Sequence, residues 1–233
     1  MRLSAELDRL QPDQPVIHLE VGQPNFNTPA HVVDATLQSL RAGQTTYIAS
    51  NGILPLREAI AQRYSCANRP VPTSASQIIV TTGAMAAMFS LFTTLLSKGD
   101  ECLIPIPGFP NYQQTISLIG AKSVPYLCRA ENNYLPTMDE LESLVTSRTK
   151  CIVICNPGNP TGACFDRELV KNIVEFAKKK NIFMISDEIY GGITFGPEGH
   201  VCAAEYEAND NVENSSLIVV SGVSKGIAFL LLQ

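Results

Sequence analysis

The chain predicts an α/β fold, a three-layer αβα sandwich on a mostly parallel sheet. Short apolar runs at residues 100–105, 122–127, 151–155, 182–186 and 217–220 alternate with helical patterns. The run 151–155 is continuously apolar, the signature of a strand covered on both faces. With 233 residues, 45% of them hydrophobic, the chain can bury one good core or a core plus a small appendage. Strand–helix alternation at this spacing calls for right-handed crossovers, which bring the carboxyl ends of the strands to one edge.

Taken in order, residues 1–15 are polar with two prolines and show no signal or transit pattern. Residues 16–21 alternate and read as a short strand, turned by Gly22-Gln23-Pro24. Thr28 then Pro29 starts a helix, a capping hydroxyl followed by proline at the first helical position. It runs to about Arg41, and Gly43 closes it. After the irregular stretch 46–52 a helix runs from Pro55 to about Tyr64. Residues 78–82 form a β-branched strand, broken by Gly83 and followed by an apolar helix over 84–97.

The strand 100–105 leads through Pro107-Gly108-Phe109-Pro110-Asn111-Tyr112 into a helix ending at Ile119, then Gly120 and the strand 122–127. Thr137 with Glu140 predicts a capping box for a helix to about Val145. Strand 151–155 ends in Asn156-Pro157-Gly158-Asn159-Pro160-Thr161-Gly162. Asp166 caps a helix whose last turn, Lys178-Lys179-Lys180, suits the negative end of the dipole, with Asn181 as its stop. Strand 182–186 ends in Asp187-Glu188-Ile189-Tyr190, and strand 217–220 delivers Ser221 and Lys225.

Net charge is −5 with no basic run, which argues against nucleic acid or an anionic membrane as partner. No apolar run reaches membrane-spanning length. Seven cysteines, an odd number without CxxC spacing, read as reduced thiols of a cytoplasmic protein. The three histidines show no ligand spacing, so no metal site is expected.

Ligands of such sheets sit at the strand-end edge, which here carries Gly83, Phe109, Asn159, Asp187, Tyr190 and Lys225. At Thr82-Gly83-Ala84 a strand passes through glycine into a helix, either an ordinary turn or an anion site for a phosphate. The 156–162 loop is over-elaborate for plain turn chemistry and reads as a device for aiming the Asn159 amide. Asp187 after a buried strand needs a partner, which a cationic ring nitrogen would supply. Glu188 is a solvated neighbour or half of a structural pair. Tyr190 is a packed aromatic or a hydroxyl aimed into the cleft. Phe109 is core, or a platform beneath a planar ring. Lys225 is a snorkelling surface residue or a desolvated amine. Pyridoxal phosphate, a planar phosphorylated pyridine aldehyde, would engage all six.

These stretches resemble the class I/II aminotransferases, fold-type I pyridoxal-phosphate enzymes. The resemblance covers nearly the whole chain: 21–26, 47–60, Thr82-Gly83-Ala84, Pro107-Gly108-Phe109-Pro110, 156–162, 186–190 and 221–225. It implies that Lys225 carries the cofactor as an aldimine and shuttles the proton, and that Asp187 keeps the pyridine nitrogen protonated. It further implies that Asn159 and Tyr190 bind the ring's phenolic oxygen and that Phe109 stacks on the ring. Gly83 and Ala84 amides would hold the phosphate, with Ser221 one place from a serine some members use. Tyr47 would reach the phosphate of a partner subunit in a homodimer. Gly22 would lie at the substrate carboxylate. An amino acid and a 2-oxo acid are the implied substrates.

Residues 1–43 would then belong to a small domain and 44–233 to the cofactor-binding large domain, incomplete at the C-terminus. The family's phosphate-binding arginine falls at Gln233, the last residue. The family's next strand would lie between 78–82 and 217–220, so both are expected to have unpaired inner edges. A carbon–sulfur lyase using the same residues, or a non-catalytic remnant that pairs with a full-length subunit, are the alternatives.

Overall fold

The structure, a computed structural model, describes residues 2–10, 13, 16–18, 22–65, 73–197, 199–207 and 215–225. The helices among the described residues are α1 Arg2–Leu10, α2 Ala30–Arg41, α3 Leu54–Tyr64, α4 Ala84–Leu95, α5 Pro110–Ile119, α6 Met138–Leu144 and α7 Arg167–Lys180. The strands are β1 Glu101–Ile106, β2 Lys122–Leu127, β3 Thr149–Cys155, β4 Phe183–Asp187 and β5 Leu217–Val220. All neighbouring strands pair in parallel, in the order β2-β1-β3-β4-β5. The chain builds outward from β1 to β2 on one side, then from β3 to β5 on the other. The sheet therefore reverses its winding between β1 and β3, where α/β sheets open a crevice.

Side-chain alternation divides the core into two layers. Leu103, Ile152, Ile154 and Met184 face α6 and α7, packing on Leu141, Val170, Ile173 and Val174. Cys102, Ile104, Cys151, Val153 and Ile185 face the other way, onto Met88 and Phe92 of α4 and Tyr112 and Ile116 of α5. This is the expected three-layer sandwich. At the far edge, Glu101 anchors the start of β1. Its buried carboxylate accepts from Thr146 Oγ1 at 2.5 Å, Arg148 Nη2 at 3.0 Å and Lys122 Nζ at 3.3 Å.

Several expectations are corrected. Residues 78–82 form no strand: Val80 N–H donates to Asn51 O at 3.1 Å, and Ile79 is 72% exposed. No strand stands between this segment and β5 among the described residues, so the extended backbone has no ladder to join. Residues 16–18 are not in a strand, and the rest of that reading, 19–21, lies outside the described residues, as does Gln233. The N-terminal polar stretch contains α1, whose Leu3, Leu7 and Leu10 recur at helical spacing. Pro29 is the N-cap of α2, its carbonyl taking Val32 and Val33 N–H, rather than its first helical residue. Thr137 caps α6 by accepting from Glu140 N–H, but the Glu140 carboxylate turns to Leu127 N–H at 3.0 Å, so the box is half formed.

Candidate active site

The carboxyl ends of β1, β3, β4 and β5 carry the candidate residues on adjoining loops. After β1, Gly108 makes the turn; a Cβ there would collide with Pro105 O. Phe109 follows as the N-cap of α5, partly buried against the α4/α5 layer. Its ring meets Tyr112 edge-on, with centroids 5.5 Å apart and planes at 80°. It is thus packed on one side, compatible with either use expected of it.

The loop after β3 is locked by Asn156, which is buried. Its Nδ2 donates to Val201 O at 3.2 Å, and its Oδ1 accepts from Phe165 N at 2.9 Å. Gly158 N–H to Ala163 O, and Gly162 N–H to Gly158 O, close the turn. Asn159 is left to point outward, and its Nδ2 donates to Tyr190 Oη at 3.2 Å. The amide and phenol expected to share one ligand oxygen are therefore brought together. Burial pushes the Tyr190 phenol up, with Cys155 and Asp187 adding to it and Asn159 opposing. An open cleft beside the pair is walled by Pro160, Ile193 and Phe195.

Asp187 closes β4 and is 6% exposed. Its Oδ2 accepts from Tyr112 Oη at 2.5 Å, and its Oδ1 from Ile189 N at 3.2 Å. Burial raises its pKa, the Tyr112 and Ile189 hydrogen bonds pull it back, and Glu188 pushes it up again. An anion held against burial with no cation among the described residues is the arrangement that a protonated ring nitrogen would complete. Cys155, under the same carboxylate, has its thiol pushed up to about 12 by burial and then by Asp187.

Glu188 resolves into a structural pair. His200 Nε2 stands 2.6 Å from Glu188 Oε2, with the side chains 1% and 2% exposed. Ser186 Oγ and Ala203 N–H both donate to Glu188 Oε1 at 2.9 Å. Gly191 makes room for the imidazole, since a Cβ there would lie 2.8 Å from His200 Cδ2. This knot fixes the turn that presents Tyr190.

Lys225 lies beyond β5, half-buried, and its Nζ donates to Gly22 O at 2.5 Å. Two residues 203 positions apart, assigned to covalent anchoring and to the substrate carboxylate, thus meet. Gly83 caps α4 with φ +87°, but its own N–H is spent on Thr81 O at 2.8 Å. The open first-turn amides of α4 therefore begin at Ala84. Ser221 is exposed, and Tyr47 is fully exposed. Tyr112 and His200 join the site as partners of Asp187 and Glu188. Tyr112 has a sequence signal, three residues past Phe109 in the first turn of α5; a pair such as Glu188–His200, twelve residues apart, has none.

The chain is a parallel-sheet α/β protein that carries an amide, a phenol, a buried carboxylate and a lysine on its strand-end loops. The sequence model of the aminotransferase class I and II family matches residues 14–230, and the chain belongs to that family. It is 36% identical over 210 residues to the aspartate aminotransferase of Bacillus subtilis, which covers 90% of this chain and 52% of that protein. It is 39% identical over 212 residues to the (5-formylfuran-3-yl)methyl phosphate transaminase of Methanocaldococcus jannaschii, with 90% and 52% covered. The crystal structure of aspartate aminotransferase from Thermotoga maritima superimposes with a TM-score of 0.89 at 31% identity, covering 99% of this chain and 60% of that one. The chain spans about half the length of the curated relatives it matches.

Proposed function

We propose that this chain is the cofactor-binding part of a pyridoxal-phosphate-dependent aminotransferase, moving an amino group between an amino acid and a 2-oxo acid. The observation that carries the reading is Asp187. It is a buried carboxylate at the sheet's ligand edge, held by two donors and paired with no cation among the described residues, on the strand that leads to Tyr190 of the Asn159–Tyr190 pair. The residues present fit the cofactor's parts. Asp187 takes the ring nitrogen, Asn159 and Tyr190 the phenolic oxygen, Phe109 a ring face, and the α4 amides from Ala84 the phosphate. When bound, pyridoxal phosphate supplies an electron sink for breaking a bond at the substrate α-carbon. Lys225 Nζ is the covalent anchor and the base that moves the α-proton. Gly22 lines the substrate carboxylate, as its contact with Lys225 supports. Residues 1–43 belong to a small domain and 44–233 to the large one. In a homodimer the exposed Tyr47 reaches the partner's phosphate.

The test is absorbance. Purified chain mixed with pyridoxal phosphate should gain a visible band that Lys225→Ala abolishes. A folded wild-type chain with no such band would sink the cofactor assignment.

A further inference from the structure

We infer that Tyr112 is a positioning residue for the cofactor's ring nitrogen: its phenol holds Asp187 as an oriented carboxylate and leaves an acceptor site for one incoming N–H. The ring-nitrogen part rests on the cofactor reading above. The hold on Asp187 stands on geometry alone. Tyr112 Oη donates to Oδ2 at 2.5 Å and Ile189 N–H to Oδ1 at 3.2 Å, so both ends of the carboxylate are pinned. Each oxygen retains a second acceptor site.

The phenol is fixed in turn. Tyr112 is 1% exposed and packs in the α4/α5 layer with Met88, Phe92 and Ile116. The edge-on contact with Phe109 makes the ring platform and the carboxylate's holder one packed unit. The titratable groups facing Asp187 are Tyr112 from α5, Cys155 from β3, its neighbour Glu188 and Tyr190. None of these is a cation. Burial keeps the Tyr112 phenol protonated, so it remains a donor. Of the forces on Asp187, the Tyr112 bond is the largest that opposes burial.

The experiment compares the wild-type chain with Tyr112→Phe. In the cofactor-free proteins, carboxyl carbon NMR follows the titration of Asp187, which should move up by about one pH unit or more in the variant. Without the phenol Asp187 is neither oriented nor held ionised for the ring N–H, which should weaken pyridoxal phosphate by about ten-fold or more. That deficit shrinks as pH rises above the variant's Asp187 titration. The 1-deaza analogue, which lacks the ring nitrogen, should bind both proteins alike. An unmoved Asp187 titration overturns the inference whether or not the cofactor binds. Equal losses for cofactor and analogue would mean a packing defect, and equal or tighter cofactor binding would mean the phenol only fills the cofactor's place; either overturns it. Should the phenylalanine variant fail to fold, 3-fluorotyrosine at position 112 keeps the ring and strengthens the donor, and should move Asp187 down. A wild-type chain that titrates as described but takes no pyridoxal phosphate refutes the cofactor reading and leaves the hold on Asp187 intact.

Discussion

Two buried carboxylates, Glu101 and Asp187, respond to pH with opposite signs. Thr146, then Arg148, pull Glu101 down from 4.5 to about 2 against the cost of burial. Its stabilisation is fully present above 4.5 and is lost as pH falls towards about 2. Glu101→Gln should therefore cost about 1–3 kcal/mol near neutral pH, and urea titrations should show the gap to wild type closing on acidification. Burial instead raises Asp187 from 3.8. Its favourable contribution is complete below 3.8 and is lost as pH rises through the raised value. The cofactor-free Asp187→Asn variant should match or exceed wild-type stability at neutral pH, with the advantage fading in acid. An Asp187→Asn protein less stable than wild type near neutrality would refute the account. Asp187 was legible because a carboxylate directly after a buried strand demands a partner. Glu101 was not, because its three donors come from β2 and from the loop before β3, which no local pattern brings together.

Elements were legible where one local signal decided them. Asp166 caps α7 through Leu169 N–H at 2.8 Å, and Asn181 ends it in the left-handed conformation, as the composition of both ends indicates. The segment 78–82 has strand composition but pairs with no strand among the described residues, so β propensity there goes unexpressed. Glu140 shows the same dependence on context, since a backbone N–H of β2 competes successfully for a carboxylate placed for a capping box. Packing and capping should separate in magnitude. Phe92 on α4 is 0% exposed and sits among β1, β3 and α5 side chains, so Phe92→Ala should cost about 3–5 kcal/mol. Asp166→Ala removes one cap and should cost about 1 kcal/mol. Chemical denaturation of the two variants measures both; comparable losses would mean that α4 is not packed on the sheet as described.

At the scale of the molecule, burial is uneven in a way that sets an order of opening. Among the described residues between 22 and 83 only Gly52 and Ala61 are buried, and α2 has no buried residue. The described hydrogen bonds of this region include Arg57 to Gly52 O and Ala75 O, Val80 to Asn51 O, and Lys225 to Gly22 O. From 101 to 187 the strands β1, β3 and β4 are buried on both faces. Opening free energy follows local burial and shared hydrogen bonds, so the two regions should not open together. Native-state hydrogen exchange should find α2 and α3 amides exchanging through local openings that respond weakly to urea, while β1, β3 and β4 amides exchange only through global unfolding with its full urea dependence. Gly52→Ala tests the packing inside the first region, because the new Cβ would stand 2.7 Å from the Val80 side chain on a backbone at φ +93°. It should speed exchange in α3 and leave β3 unchanged. Equal protection across α2 and β3, or a Gly52→Ala effect that reaches β3 in full, would mean a single cooperative unit, with the strand-end site resting on the whole chain rather than on its central sheet.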